Sequence, residues 1–113
     1  MALPSDPDIQ IQLLVLLSAA PNLQMRTRDI YGSLAQRFPQ LTRDELNVPY
    51  RNSVSHWANR VQFARLHLVE LGYILRPYSG SGRGIWKLSE KGRKALTDRR
   101  ALADKLLAEL DRS

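Results

Sequence analysis

The residues whose types and spacing suit chemistry gather in one short stretch: Arg51, Asn52, Ser55, His56, Asn59, Arg60 and Gln62. Placed on a helix, Asn52, Ser55, His56, Asn59 and Gln62 recur every three or four residues and share a face. Asn and Gln present a donor and an acceptor side by side, the pattern that pairs with the major-groove edge of adenine, and Ser and His adapt as donors or acceptors. Arg51 and Arg60 flank the face, where a guanidinium can grip a phosphate or read guanine. A face that merely meets water would usually carry Glu and Lys, and residues 51–62 contain neither. Base-edge reading is therefore preferred to simple solvation.

A second cluster follows in the chain. Ser79-Gly80-Ser81-Gly82-Arg83-Gly84 is a hairpin tip whose unhindered backbone N–H groups can approach phosphates, with Arg83 able to enter a minor groove. Arg76 and Lys87 lie on the flanking strands, and Lys91, Arg93 and Lys94 come at the start of the next helix, against the preference of the helix dipole. That placement is better explained by a polyanionic partner than by helix stability. Catalysis finds no comparable support. There is no cysteine, and His56 and His67 have no carboxylate placed to complete a metal site. Asp44-Glu45 reads as a helix start. Neither an active site, a metal nor a cofactor is expected.

The elements that position these groups can be read from apolar spacing. Ile9, Leu13, Leu16 and Leu17, widened by Leu14 and Val15, predict a first helix after an acidic start at Asp6 and Asp8, ending near Ala20. A short extended stretch over residues 23–26 precedes a second helix with Thr27 as N-cap and Ile30, Leu34 and Phe38 on one face. Residues 39–52 form a connector. The third helix spans about residues 53–71, with Trp57, Val61, Ala64, Leu68 and Leu71 toward the core and Gly72 as its C-cap. Residues 73–78 and 85–88 are strands, and Ser89 caps a last helix running toward Leu110, with Gly92 as its weak point. Three helices, a two-stranded hairpin and a further helix make a mainly α protein with a small β-hairpin: a winged helix-turn-helix. Residues 1–97 form this domain and residues 98–113 a helical extension. Trp57 and Trp86 are expected in the core. The alternative, that one stacks on a modified base, fits Trp57 better, because it sits beside His56 near the helix start.

Bulk properties agree. A chain of 113 residues, 43% hydrophobic and 25% charged, fits one domain with one core. Its net charge of +6 is uneven: residues 51–100 hold eleven Lys and Arg against Glu70, Glu90 and Asp98, a net +8, while the segments before and after are each −1. Such concentration is the footprint expected for a polyanion. The longest apolar candidate, residues 9–20, is interrupted by Gln10 and Gln12 and falls short of a membrane span, and acids rather than cations precede it. A cytoplasmic location is expected.

The stretch Tyr50-Arg51-Asn52, Trp57-Ala58, Arg60-Val61, Ala64-Arg65, Leu68 and Leu71-Gly72-Tyr73-Ile74 resembles the N-terminal domain of Mrr-like restriction endonucleases. The likeness continues through Arg83-Gly84-Ile85-Trp86-Lys87-Leu88-Ser89 and Gly92, with Ser89 where the family usually has Thr. It implies a winged-helix module that reads double-stranded DNA, often DNA carrying methylated bases, and that is joined to a nuclease domain. Two other functions stay open. A stand-alone transcriptional regulator would use the same helix and wing as a homodimer, with Leu102, Ala103, Leu106 and Leu110 as the seam unless that stripe packs back on helix one. A protein-interaction winged helix would have no reason for the basic segment.

Overall fold

The computed structural model describes residues 5–39, 41, 49–50, 54–76 and 84–112. Helix α1 (Asp6–Ala19) begins where Ser5 Oγ accepts the Asp8 N–H at 3.3 Å, with Asp6 and Asp8 facing the positive end of the helix dipole. Pro7, Ile9, Gln10, Leu13, Leu14, Leu16 and Leu17 are all buried, so the helix is covered around most of its circumference rather than along one stripe. It forms the axis of the core. The chain then turns through Pro21–Leu23, where Asn22 and Leu23 both adopt left-handed backbone (φ 58° and 59°), and enters strand β1 (Gln24–Arg26). Helix α2 (Thr27–Ala35) follows directly. Thr27 is not its cap: Arg26, with extended backbone, holds that position without a side-chain bond, and Thr27 is the first helical residue, its N–H donating to the Gly84 carbonyl at 2.9 Å.

Strands β2 (Pro49–Tyr50) and β3 (Val54–Ser55) pair antiparallel just before helix α3 (His56–Glu70). The expected helix start at residue 53 therefore moves to His56, since the backbone of residues 54–55 is taken up by the β pair. Trp57, Val61, Ala64 and Leu68 are buried as their spacing predicts, joined by Val69. The helix stops at Gly72 (φ 84°), where the Tyr73 N–H reaches the Leu68 carbonyl at 2.9 Å and the Gly72 N–H the Val69 carbonyl at 3.0 Å. This is a Schellman closure, which needs a residue tolerant of left-handed backbone.

Strand β4 (Ile85–Lys87) pairs with β1 in the register Gln24↔Lys87, Met25↔Trp86 and Arg26↔Ile85. Its other edge meets the chain leaving α3, through the Ile74↔Leu88 bridge and the Leu75 N–H donating to the Lys87 carbonyl at 2.9 Å. The last helical segment is two helices rather than one. Helix α4 (Glu90–Ala95) is capped by Ser89, whose Oγ accepts the Gly92 N–H at 2.9 Å. Helix α5 (Arg99–Arg112) restarts after Asp98, whose carboxylate accepts the Ala101 N–H at 3.1 Å. Gly92 is no weak point. A Cβ there would lie 2.2 Å from the Tyr73 carbonyl oxygen, so only glycine lets α4 approach the end of α3 this closely. Leu102 and Leu106 of α5 are buried in the common core beside α1, while Leu107 and Leu110 stay exposed. Element order and composition are those of a winged helix-turn-helix, mainly α with a small antiparallel sheet. Of the expected hairpin tip, residues 79–84, all but Gly84 lie outside the described residues.

Candidate nucleic-acid interface

The outward side of α3 is set by its inward side: with Trp57, Val61, Ala64 and Leu68 in the core, Asn59, Gln62, Phe63 and Leu66 emerge opposite. Asn59 is half-buried, Gln62 is exposed, and Phe63 is 62% exposed, the largest apolar group on this surface. These four residues border a groove of about 410 Å³ between α2, α3 and β4, completed by Thr27, Tyr31, Arg65 and Trp86. The Gln62 amide donates to the Tyr31 hydroxyl at 3.0 Å, which orients the amide at the rim. Tyr31 in turn meets Trp86 edge to face, with ring centroids 6.2 Å apart.

Arg65 is the functional candidate that sequence reading missed. Its guanidinium lies 5.4 Å from the centroid of the Trp86 ring, and its buried Nε has no hydrogen-bond acceptor among the described residues. A buried N–H without an acceptor costs on the order of 1–3 kcal/mol. A cation–π contact returns about 0.5–2 kcal/mol. The two roughly cancel, and the contact with Trp86 uses none of the guanidinium's N–H donors. The signal in the sequence was only its position, four residues before Val69 and one side of the core arc.

The other sequence-derived residues are distributed differently from expectation. Arg60 stands at the α1 edge of the outward face. Its Nε and Nη2 both donate to Asp6 of α1, at 3.0 and 2.5 Å, and Asp6 borders a groove with Phe63. His67 follows the same side, sharing a 2.9 Å hydrogen bond with buried Gln10. Ser55 belongs to strand β3 rather than to the helix. His56 begins α3, half-buried. Trp57 is 2% exposed, donates its indole N–H to the Tyr31 carbonyl at 3.0 Å and packs edge to face on Phe38. Its ring has no face left for a base, and the stacking role is corrected to a core role. Arg51, Asn52 and Arg83 lie outside the described residues.

The basic group after the wing also changes meaning. Lys87 is half-buried on β4, beside the wing. Lys91 stacks over Tyr73 with Nζ 5.6 Å from the ring centroid and runs along Gly72, at the far end of α3 from Asn59. Gly72 lies thirteen positions beyond Asn59, just past the helix end at Glu70, which sets the two roughly 20 Å apart at 1.5 Å per residue. Because α4 ends at Ala95, Arg93 and Lys94 stand in its last turn, where the helix dipole favours cations. Arg93 also binds Glu90, its Nε donating to the carboxylate at 3.0 Å, and this hydrogen bond holds Glu90 below the usual carboxylate range. Helix stability thus accounts for two of the three cations that seemed to need a partner.

Among the described residues, no group of three or more His, Asp and Glu could hold a metal, and no helix is long and apolar enough to cross a membrane. Residues 9–98 match the Mrr N-terminal domain family. The chain belongs to that family. No curated protein and no solved structure matches it. The match covers α1 through α4 and stops at Asp98, so the grooved face of α3 and the wing strand both fall within the Mrr N-terminal domain, and α5 begins beyond it.

Proposed function

We propose that this domain binds double-stranded DNA, with the exposed face of α3 in the major groove and the wing on the backbone or in the minor groove. The observation that carries the reading is the outward pair of amides, Asn59 and Gln62, beside a groove that also holds an unspent guanidinium. Membership of the Mrr N-terminal domain family supports a place in a restriction system. In that setting the domain supplies specificity, nuclease chemistry belongs to a separate segment, and the protein works in the cytoplasm. The exposed Phe63 and Leu66 suit the methyl group of thymine or of a methylated base, which favours a methylation-dependent version. Exposed Leu107 and Leu110 favour a second reading, a dimeric winged-helix regulator that buries this edge of α5.

Fluorescence anisotropy with duplexes, plain or carrying methylated adenine or cytosine, tests these readings at several salt concentrations. We expect affinity to fall steeply with salt; a flat response or no binding rejects the DNA reading. Equal affinity for plain and methylated duplexes rejects the modification-dependent version. Asn59→Ala should alter sequence preference, whereas Arg83→Ala should weaken all sequences alike, and the reverse pattern overturns the assignment of roles. Light scattering decides the regulator reading, which requires a dimer.

A further inference from the structure

Two grooves meet at Thr27. One is the groove between α2, α3 and β4 that holds Arg65. The other, of about 370 Å³, is lined by Arg26, Thr27, Arg28, Gly84 and Ile85. Thr27 lines both, so Arg65 borders one of two neighbouring grooves and Arg26 and Arg28 border the other. The paired depression reaches from the flank of α3, past the first turn of α2, to Gly84 at the base of the wing. Arg26 and Arg28 are exposed, and neither takes part in an ion pair among the described residues. Gly84 has nothing within 4 Å of where a Cβ would stand, which leaves the depression open at its wing end.

We propose that this row is a phosphate track, in which Arg26, Arg28 and Arg65 take phosphate oxygens along one strand of the bound DNA. The proposal rests on the duplex-binding reading above and deepens it by assigning the backbone contacts. The three arginines sit on β1, on α2 and on the wing-side flank of α3, whereas Asn59 and Gln62 occupy its outward face. That division matches the geometry of helix-turn-helix proteins, where the helix before the recognition helix crosses the backbone while the recognition helix faces base edges. A guanidinium suits phosphate because its planar fork donates two parallel hydrogen bonds. The contact with Trp86 places the Arg65 guanidinium before binding, so less side-chain freedom is lost when the phosphate arrives. Backbone contacts of this kind set register and orientation without reading sequence.

The test is the salt dependence of duplex affinity, measured by fluorescence anisotropy between about 50 and 200 mM salt. Arg26→Gln, Arg28→Gln, Arg65→Gln and the triple variant are compared with the unsubstituted chain, and the fold of each is checked by circular dichroism. Each lost phosphate contact should reduce the slope of log K against log salt by about 0.9, and the triple variant should lose between about 2 and 3. Base preference should stay as it was. Should Arg65→Gln unfold, the Arg26→Gln/Arg28→Gln double variant decides alone, because both side chains are exposed; its expected loss is about 1.8. An unchanged slope in a folded variant, or a change of base preference in place of a change of slope, overturns the track and leaves DNA binding standing. If the unsubstituted protein shows no salt-dependent binding, the duplex-binding reading fails first and takes the track with it.

Discussion

Replacing Gly92 with alanine is the sharpest probe of how the wing is joined to α3. A Cβ at this position would lie 2.2 Å from the Tyr73 carbonyl oxygen, 2.7 Å from Leu88 Cδ1 and 3.0 Å from the Tyr73 carbonyl carbon. Even weak C–H···O contacts keep carbon and oxygen about 3.3–3.6 Å apart, so α4 would have to withdraw by roughly 1 Å. The surroundings resist this. The same Tyr73 carbonyl accepts the Ser89 N–H at 2.9 Å, and the Tyr73 and Leu88 side chains are both buried. Overpacking of this kind costs on the order of 1–3 kcal/mol, against a gain of about 0.5–1 kcal/mol from alanine's better helix propensity. The central net loss is about 1.25 kcal/mol, so at about 4 °C per kcal/mol for a domain of this size thermal unfolding followed by circular dichroism should drop by roughly 5 °C. Gly32 supplies the control. It sits inside α2 with nothing within 4 Å of its absent Cβ, so Gly32→Ala should gain about 0.5–1 kcal/mol and unfold a few degrees higher. A Gly92→Ala protein that unfolds at or above the parent temperature would refute the close approach of α4 to Tyr73. So would two alanine variants that shift in the same direction.

Ser89→Ala removes both the cap of α4 and a hydroxyl that donates to the Gly72 carbonyl at 2.5 Å; we expect a loss of about 1–2 kcal/mol in urea unfolding, and an unchanged midpoint would contradict the cap. Trp57→Phe deletes the indole bond to the Tyr31 carbonyl and leaves a small cavity, which should lower stability by about 1–2 kcal/mol while leaving duplex affinity as it was; a selective loss of affinity would restore Trp57 to the interface. Asp6→Asn and Arg60→Gln should be non-additive in a double-mutant cycle, with a coupling of a few tenths of a kcal/mol because both groups are partly exposed, and strict additivity would argue against the pair. The hydrogen bond from Arg93 lowers the folded-state pKa of Glu90, so its contribution is complete above the ordinary glutamate range and is lost as pH falls through the lowered value. Glu90→Gln should therefore remove a small part of the acid limb of the stability curve, and superimposable acid limbs would count against the pair.

Much of the architecture was legible because its signals are local. The arc Trp57, Val61, Ala64 and Leu68 is a matter of 3.6-residue periodicity, and Gly72 marks a helix end because left-handed backbone is cheap only without a Cβ. Ser89 announced a cap by type and position. Local signals also misled. Thr27 has a cap residue's chemistry, yet it stands inside α2 as its first residue, and its N–H pairs with Gly84, a residue more than fifty positions away. Lys91, Arg93 and Lys94 looked misplaced only while α4 and α5 were read as one helix. Segment charge hid a further feature: Arg26 and Arg28 belong to the first fifty residues, whose net charge is −1, and so dropped out of the basic footprint.

By itself, then, the sequence determined where the first three helices lie to within a few residues, which face of α3 turns inward and that a strongly basic segment follows residue 50, since these depend on neighbours within a few positions; the β2–β3 pair and the break between α4 and α5 it did not show. Only the tertiary structure decided which polar side chains are still unspent. Asp6 engages Arg60 across 54 positions, the Tyr31 carbonyl engages Trp57 across 26, and Trp86 holds Arg65 from a strand that packs beside α3. A hydrogen bond or a stacking contact is settled by where distant segments come to rest, and no periodicity in the chain encodes that distance. The outward groove beside Asn59 and Gln62 is what remains after those pairings are made.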